Sequence, residues 1–342
     1  MINPSDVGRG LIGSCALLLC LAALLAPPQT VAQTVPPEAI VDPRETAEQI
    51  VLDAAAGDDA LLRMNAVEAC QYLPQRAESL IAAGIDDPNP AVRWAALITV
   101  GRLGLEGMTP RALELADDPD QEIYVRAAAA FAAHRNGQPA DLGLVARLLW
   151  DPRPGQRANA ALLLSMLDLP SAVPMLRDAA QDPMIKSPTL RRELFRLQVA
   201  EALVQLGDME SLKVVRGAVY SNEQELRVLA VIILGRCEDR GMQGNLIRLL
   251  AQDPVELRLA AADALARMGT NEGLPVMLQA AATSPYPTVR AQAAAALGQA
   301  ADDPRAREAL TRLLQDPETA VRLAAAAAWL EADPAVVAAR RP

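Results

Sequence analysis

An arginine followed by a run of small and aliphatic residues returns nine times along this 342-residue chain. No other feature limits its fold so strongly. The arginines are Arg63, Arg93, Arg126, Arg157, Arg196, Arg227, Arg258, Arg290 and Arg322; seven of the eight steps between them lie between 30 and 33 residues, and one is 39. The clearest copies are AVRWAALITVG (91–101), YVRAAAAFAAH (124–134), ELRVLAVIILG (225–235), ELRLAAADALA (256–266), TVRAQAAAALG (288–298) and AVRLAAAAAWL (320–330). Three residues after each arginine stands a small residue, such as Ala66, Ala96, Ala129 or Ala325; seven after it stands a mostly larger one, such as Val100, Leu164, Leu234 or Trp329. Those two positions share one face of a helix. The small residue lets a neighbouring helix approach, and the larger one fills the space beside it.

The half-repeat before each arginine, for example SAVPMLRDAAQDP (171–183), reads as a second, shorter helix. The Asp-Pro pair stops it, because proline disfavours the helical conformation in the residue before it. A helix pair of this length cannot bury its apolar face alone, whereas stacked pairs bury a continuous core. The chain is therefore expected to be all-α, an α-solenoid of about nine helical pairs over residues 45–332. Repeat one is expected to be the N-terminal cap, and the tail 333–342 to close the other end. Composition agrees: aromatic residues make up only 3% of the chain, too few for a large globular core, and its abundant Ala and Leu favour helix. Its net charge of −10, with no long basic run, argues against a nucleic-acid partner, which calls for a basic face.

The succession of Asp-Pro, a spacer, Val/Leu-Arg, two or three Ala and then Ala-Leu-Gly resembles the HEAT-repeat family. The likeness is to its short form, as in phycobilin lyase HEAT-like proteins, and covers residues 45–332. The resemblance implies a right-handed, armadillo/HEAT-like superhelix. It also implies a ladder of Asp and Arg bonding between neighbouring repeats, in which Asp87 and Arg93, Asp151 and Arg157, and Asp316 and Arg322 take part. Asp253 and Arg258 are one residue closer, and Ser284 replaces the acid before Arg290, which weakens the rung at Arg290.

Before the repeats lies an apolar run, LIGSCALLLCLAALLA (11–26), preceded by Arg9 and followed by small residues at Thr30 and Ala32. It is short for a membrane span, which needs about 20 residues, and it suits the apolar core of a secretory signal peptide. Residues 1–32 are read as that signal, with an uncleaved anchor as the alternative, and the Pro-rich 33–44 as a linker. The expected location is extracytoplasmic, a bacterial periplasm or the exterior, with no membrane span after signal removal. Cys70 and Cys237 fall in apolar columns of repeats one and six. At ~9 Å per helix layer they stand roughly 45 Å apart, too far for a bridge, which needs Cα atoms within about 7 Å.

Catalytic chemistry finds no constellation. His134 is the only histidine and reads as a surface residue at a helix end. No Gly-rich phosphate loop and no Ser-His-Asp grouping can be assembled. The His-Glu pairs that HEAT-like metal hydroxylases need are absent. No catalytic, metal or cofactor-binding residue is assigned, and no cofactor is expected.

What remains is surface. Positions two, five and nine after each arginine are expected to form an exposed ridge, polar in several repeats (Asn65, Glu68, Gln198, Glu201, Asp263, Arg267) but apolar at Ile98, Phe131, Leu162 and Met166, with Arg102 and Arg135 beside them. Contiguous exposed apolar residues mark an interaction surface; the other reading buries them between neighbouring repeats. Trp150 stands where other repeats carry Asp117, Gln181, Gln252 or Gln315. It is either an exposed binding anchor or packed under the Pro152–Pro154 turn. The long step, DPMIKSPTLRRELFR (182–196), gathers Lys186, Arg191 and Arg192 in an acidic protein: a docking patch for an acidic partner, or the solvated face of a lengthened helix. These residues point to a non-enzymatic protein–protein interaction scaffold of the cell envelope, binding a protein or peptide along the repeat surface. The alternatives are a HEAT-like lyase or metal-dependent modifying enzyme, and a structural subunit of an envelope complex.

Overall fold

The computed structural model describes residues 42–182 and 189–333. The signal read at 1–32, most of the linker, Lys186 and the tail after Asp333 lie outside the described residues. Among the described residues there are eighteen α-helices and no strand. They form nine consecutive pairs: α1 (Pro43–Ala56) with α2 (Ala60–Ala69), α3 (Ala77–Ile85) with α4 (Pro90–Leu103), α5 (Thr109–Asp117) with α6 (Ile123–Arg135), α7 (Gly143–Leu148) with α8 (Pro154–Met166), α9 (Ala172–Ala180) with α10 (Thr189–Gln205), α11 (Leu212–Ala218) with α12 (Gln224–Arg236), α13 (Gln243–Leu249) with α14 (Val255–Arg267), α15 (Leu274–Thr283) with α16 (Pro287–Gln299), and α17 (Pro304–Leu313) with α18 (Thr319–Glu331). Each repeating arginine sits on the second helix of its pair. No helix among the described residues is long and apolar enough to cross a membrane.

Local chemistry starts these helices. Asp42 and Asp59 accept hydrogen bonds from the first free backbone N–H groups of α1 and α2, and Asn89 and Asp303 do so for α4 and α17. Proline opens α1, α4, α8, α16 and α17, where its missing N–H costs nothing and its fixed φ fits. Gly104 ends α4 in the left-handed conformation (φ 66°), which a side chain would disfavour.

The chain divides into two compact units, residues 74–230 and residues 42–73 with 231–333. In the first, the second helices α4, α6, α8 and α10 stack in order, with α3, α5, α7 and α9 against them. In the other, α14, α16 and α18 stack in the same way, and α1 packs along α18 with α2 touching it as well. Repeat one is thus not a free-standing N-terminal cap: it covers the last helix of the array. The reason lies in α18. From Ala320 to Glu331 none of its residues is exposed, so it has no solvent face and needs a helix on each side. α1 supplies the missing one, with Ala47, Val51 and Ala54 buried and Glu45, Gln49 and Asp53 facing solvent.

Second helices meet closely where the Ala-Leu-Gly element places glycine. A Cβ on Gly235 of α12 would lie 2.7 Å from the Cα of Ala264 on α14, and one on Gly298 of α16 2.9 Å from the Cβ of Ala328 on α18. The eighth residue after one arginine therefore faces the sixth after the next.

Candidate interaction surface

The repeating arginine turns back onto the loop that precedes its own helix. Arg93 Nη1 donates to the carbonyls of Asp87 (2.7 Å) and Pro88 (3.1 Å); Arg157 Nε donates to that of Asp151 (2.6 Å); Arg322 Nη1 donates to those of Asp316 (2.8 Å) and Pro317 (3.0 Å). The aspartate side chain does different work. Oδ1 of Asp87, Asp151 and Asp316 accepts the backbone N–H of Asn89, Arg153 and Glu318, tightening the turn into the helix.

Two rungs of the ladder between repeats start from Arg157 and Arg290. Arg157 Nη2 lies 2.8 Å from Asp182 of the next repeat. Arg290 grips Asp316 of the next repeat with Nε and Nη2, at 2.7 and 2.8 Å. The rung that Ser284 was expected to weaken is thus a two-pronged one, because its acid comes from the following repeat, and Ser284 contributes only its carbonyl. Asp316 holds the guanidinium of Arg290 above its usual pKa, chiefly through these hydrogen bonds.

The apolar ridge is not a surface. Ile98 is 5% exposed, Phe131 0% and Met166 7%, and Leu162 is half-buried. The expected exposure of Ile98, Phe131 and Met166 is therefore corrected: the side chains lie between neighbouring helices. The physical cause is the same close approach that glycine permits. The Phe131 ring fills the space a side chain on Gly101 would occupy, with Cε1 2.6 Å from the Cβ such a residue would carry. Polar members of the column are buried too, among them Asn65, Glu68 and Glu201, so polarity there does not report exposure. Arg102 is half-buried and Arg135 exposed, without an apolar strip between them.

Trp150 is exposed, at 45%. It follows α7, its N–H bonded to the Arg147 carbonyl (3.1 Å). Its ring lies over the guanidinium of Arg157, 5.9 Å from carbon to ring centroid, within cation–π range. Arg157 is almost fully buried and held by Asp182 and by the Asp151 carbonyl, so the indole rests on a fixed base. Arg153 stands in the adjoining turn, paired with Asp151 at 2.9 and 3.0 Å; its hydrogen bond holds the Asp151 carboxyl below its usual pKa.

One residue of this edge escaped the sequence reading. Tyr220 is exposed and stands seven residues before Arg227, as Trp150 stands seven before Arg157. The shared register was the signal. On α10, Arg191 is exposed and Arg192 half-buried; Glu193 lies 3.7 Å from Arg192 and 2.9 Å from Arg196, which partly neutralises that charge. Lys186 lies outside the described residues. His134 is half-buried, Cys70 buried and Cys237 half-buried. Among the described residues no three His, Cys, Asp or Glu side chains gather as a metal site.

Comparison with known proteins agrees with the repeat pattern. A family model of HEAT repeats matches residues 48–123, 217–298 and 274–331, more than half of the chain. No curated protein matches it. Among solved structures, human deoxyhypusine hydroxylase in complex with glycerol is similar at 17% identity and a TM-score of 0.35, over 85% of this chain and 97% of that one. The complex of CpcE and CpcF of phycocyanin lyase from Nostoc is similar at 16% identity and a TM-score of 0.39, over 72% and 91%. Kap121p bound to Nup53p is similar at 13% identity and a TM-score of 0.35, over 86% of this chain and 37% of that one. TM-scores this low carry no argument about activity.

Proposed function

The chain belongs to the HEAT-repeat family, and from that premise we propose that it is a non-enzymatic interaction scaffold of the cell envelope, gripping a protein or peptide along the edge of its Asp-Pro turns. HEAT repeats generally mediate protein interactions. The observation that carries the reading is Trp150, an exposed indole on a buried, ion-paired arginine. Tryptophan and arginine dominate binding hot spots because a rigid aromatic surface is desolvated at small entropic cost. Arg153 beside it and Tyr220 in the matching register extend the same edge. The apolar run at 11–26 supports an extracytoplasmic location, which cell fractionation tests directly.

The binding test is capture of envelope proteins on immobilised chain, followed by titration of whatever is retained. Trp150→Ala, with helicity unchanged by circular dichroism, is expected to weaken the captured partner at least about tenfold; a hot spot loses ~2 kcal/mol or more on truncation, and ~1.4 kcal/mol is tenfold. Undiminished affinity of Trp150→Ala and of Arg153→Glu for every retained protein sinks the assignment of this edge. The enzyme alternative is tested separately, by metal analysis and an absorption spectrum of the purified protein.

A further inference from the structure

The turn that carries Trp150 adjoins an acidic one. Residues 117–122, DDPDQE, hold four carboxylates and no base. Asp118 accepts hydrogen bonds from Gln121 and from the backbone N–H of Asp120 and faces the charge of Arg126, whereas Asp117, Asp120 and Glu122 are exposed. Glu122 lies within electrostatic reach of Arg153, which pairs with Asp151 beside Trp150. The two turns therefore form one stretch of surface, inside the compact unit 74–230. The arginines around Trp150 are already matched: Arg147 with Asp141 at 3.0 Å, Arg153 with Asp151 at 2.9 Å and Arg157 with Asp182 at 2.8 Å. The charge left to meet a partner is negative.

The indole adds a flat surface to that charge. One of its faces lies on Arg157, whose own charge Asp182 offsets, and 45% of the residue is exposed. A guanidinium stacks flat on an aromatic face while its edge N–H groups remain free to donate to carboxylates. We propose that the segment docking on this edge is basic: an arginine of the partner protein lies on the free face of Trp150, and Asp117, Asp120 and Glu122 attract its positive charge. The inference rests on the Trp150 edge being a docking surface and adds the chemistry of what docks there. A neutral segment gains only the apolar contact with the ring, and an acidic one meets like charge. Because the three carboxylates are exposed, their attraction is screened, and binding weakens as salt rises.

Fluorescein-labelled glycine–serine peptides that carry arginine, glutamine or glutamate at the same positions test it, by anisotropy against the full chain. The arginine peptide is expected to bind, the glutamine peptide more weakly and the glutamate peptide least. With helicity unchanged by circular dichroism, Trp150→Ala and the edge variant D117N/D120N/E122Q are each expected to weaken the arginine peptide about fivefold, while E78Q/D178N/D302N, which removes as many exposed carboxylates elsewhere, keeps it within about twofold of wild type. Equal losses in the two carboxamide variants show a general attraction to an acidic chain and overturn the proposal. So do an arginine peptide that fails to bind, a glutamine peptide that binds as tightly, and an arginine peptide untouched by Trp150→Ala. Failure here is separable from failure of the edge itself: a captured envelope protein that loses affinity in Trp150→Ala but not in D117N/D120N/E122Q keeps the edge and rules out the basic partner.

Discussion

A Cβ built on Gly235 would stand 2.7 Å from the Cα of Ala264, while one built on Gly244, exposed in α13, meets nothing within 4 Å. The two glycines therefore separate propensity from packing. Glycine to alanine in a helix gains up to ~1 kcal/mol from propensity. At Gly244 that gain should appear as higher stability. At Gly235 and Gly298 it is outweighed by overpacking of ~1–3 kcal/mol, so Gly235→Ala should lower the urea midpoint despite the better helix former. If both substitutions raise the midpoint, helices α12 and α14 have room that the geometry denies. The small columns were legible in the sequence as positions of close approach. The buried fate of Ile98 and Phe131 was not, because a column's exposure depends on how near the neighbouring helix comes, and glycine in a different column sets that distance.

At the scale of elements, pairs are joined by the arginine column, and one such link is Arg290 with Asp316. Both side chains are mostly buried (12% and 6% exposed). Removing one partner leaves a buried charge, so Arg290→Ala or Asp316→Ala should cost ~3–5 kcal/mol, while an apolar pair of similar volume should cost far less; equilibrium unfolding of the single and double variants measures it. Turn aspartates add a pH dependence. The carboxyl of Asp118 is held below its usual pKa chiefly by Gln121, and those of Asp141, Asp151 and Asp303 by Arg147, Arg153 and Arg305. A carboxyl depressed in the folded state contributes stability that is full above its unfolded pKa and is lost as pH falls through its folded value. Thermal stability should therefore be flat near neutrality and decline below about pH 4; a midpoint independent of pH down to pH 2 contradicts it, and Asp151→Asn should shallow the decline. The arginine column was the plainest feature of the sequence, yet the carbonyl acceptors of Arg93 and Arg322 were not legible in it. Spacing within a repeat shows which groups are near in sequence, whereas a long flexible guanidinium chooses between a carbonyl of its own turn and an acid of the next repeat.

On the scale of the whole chain, a periodic sequence specifies each pair against its neighbours and carries no term for a contact between the first pair and the last. That is why the docking of α1 on α18 was invisible in the repeats. Its one trace was the composition of AVRLAAAAAWL, apolar around its whole circumference at a place where a terminal cap would be polar on one side. The docking couples segments remote in sequence, and it does so through Val51, fully buried on α1. Val51→Asp buries an unpaired carboxylate in that junction and should cost about 3 kcal/mol or more. The loss should be read at the other end of the chain. Amide exchange in α18, residues 319–331, is expected to accelerate together with that of α1, because both lose the same cover, while exchange in α6 of the other unit keeps its wild-type protection. Unchanged protection of α18 in this variant shows that the last helix holds without α1 and overturns the coupling of the two ends.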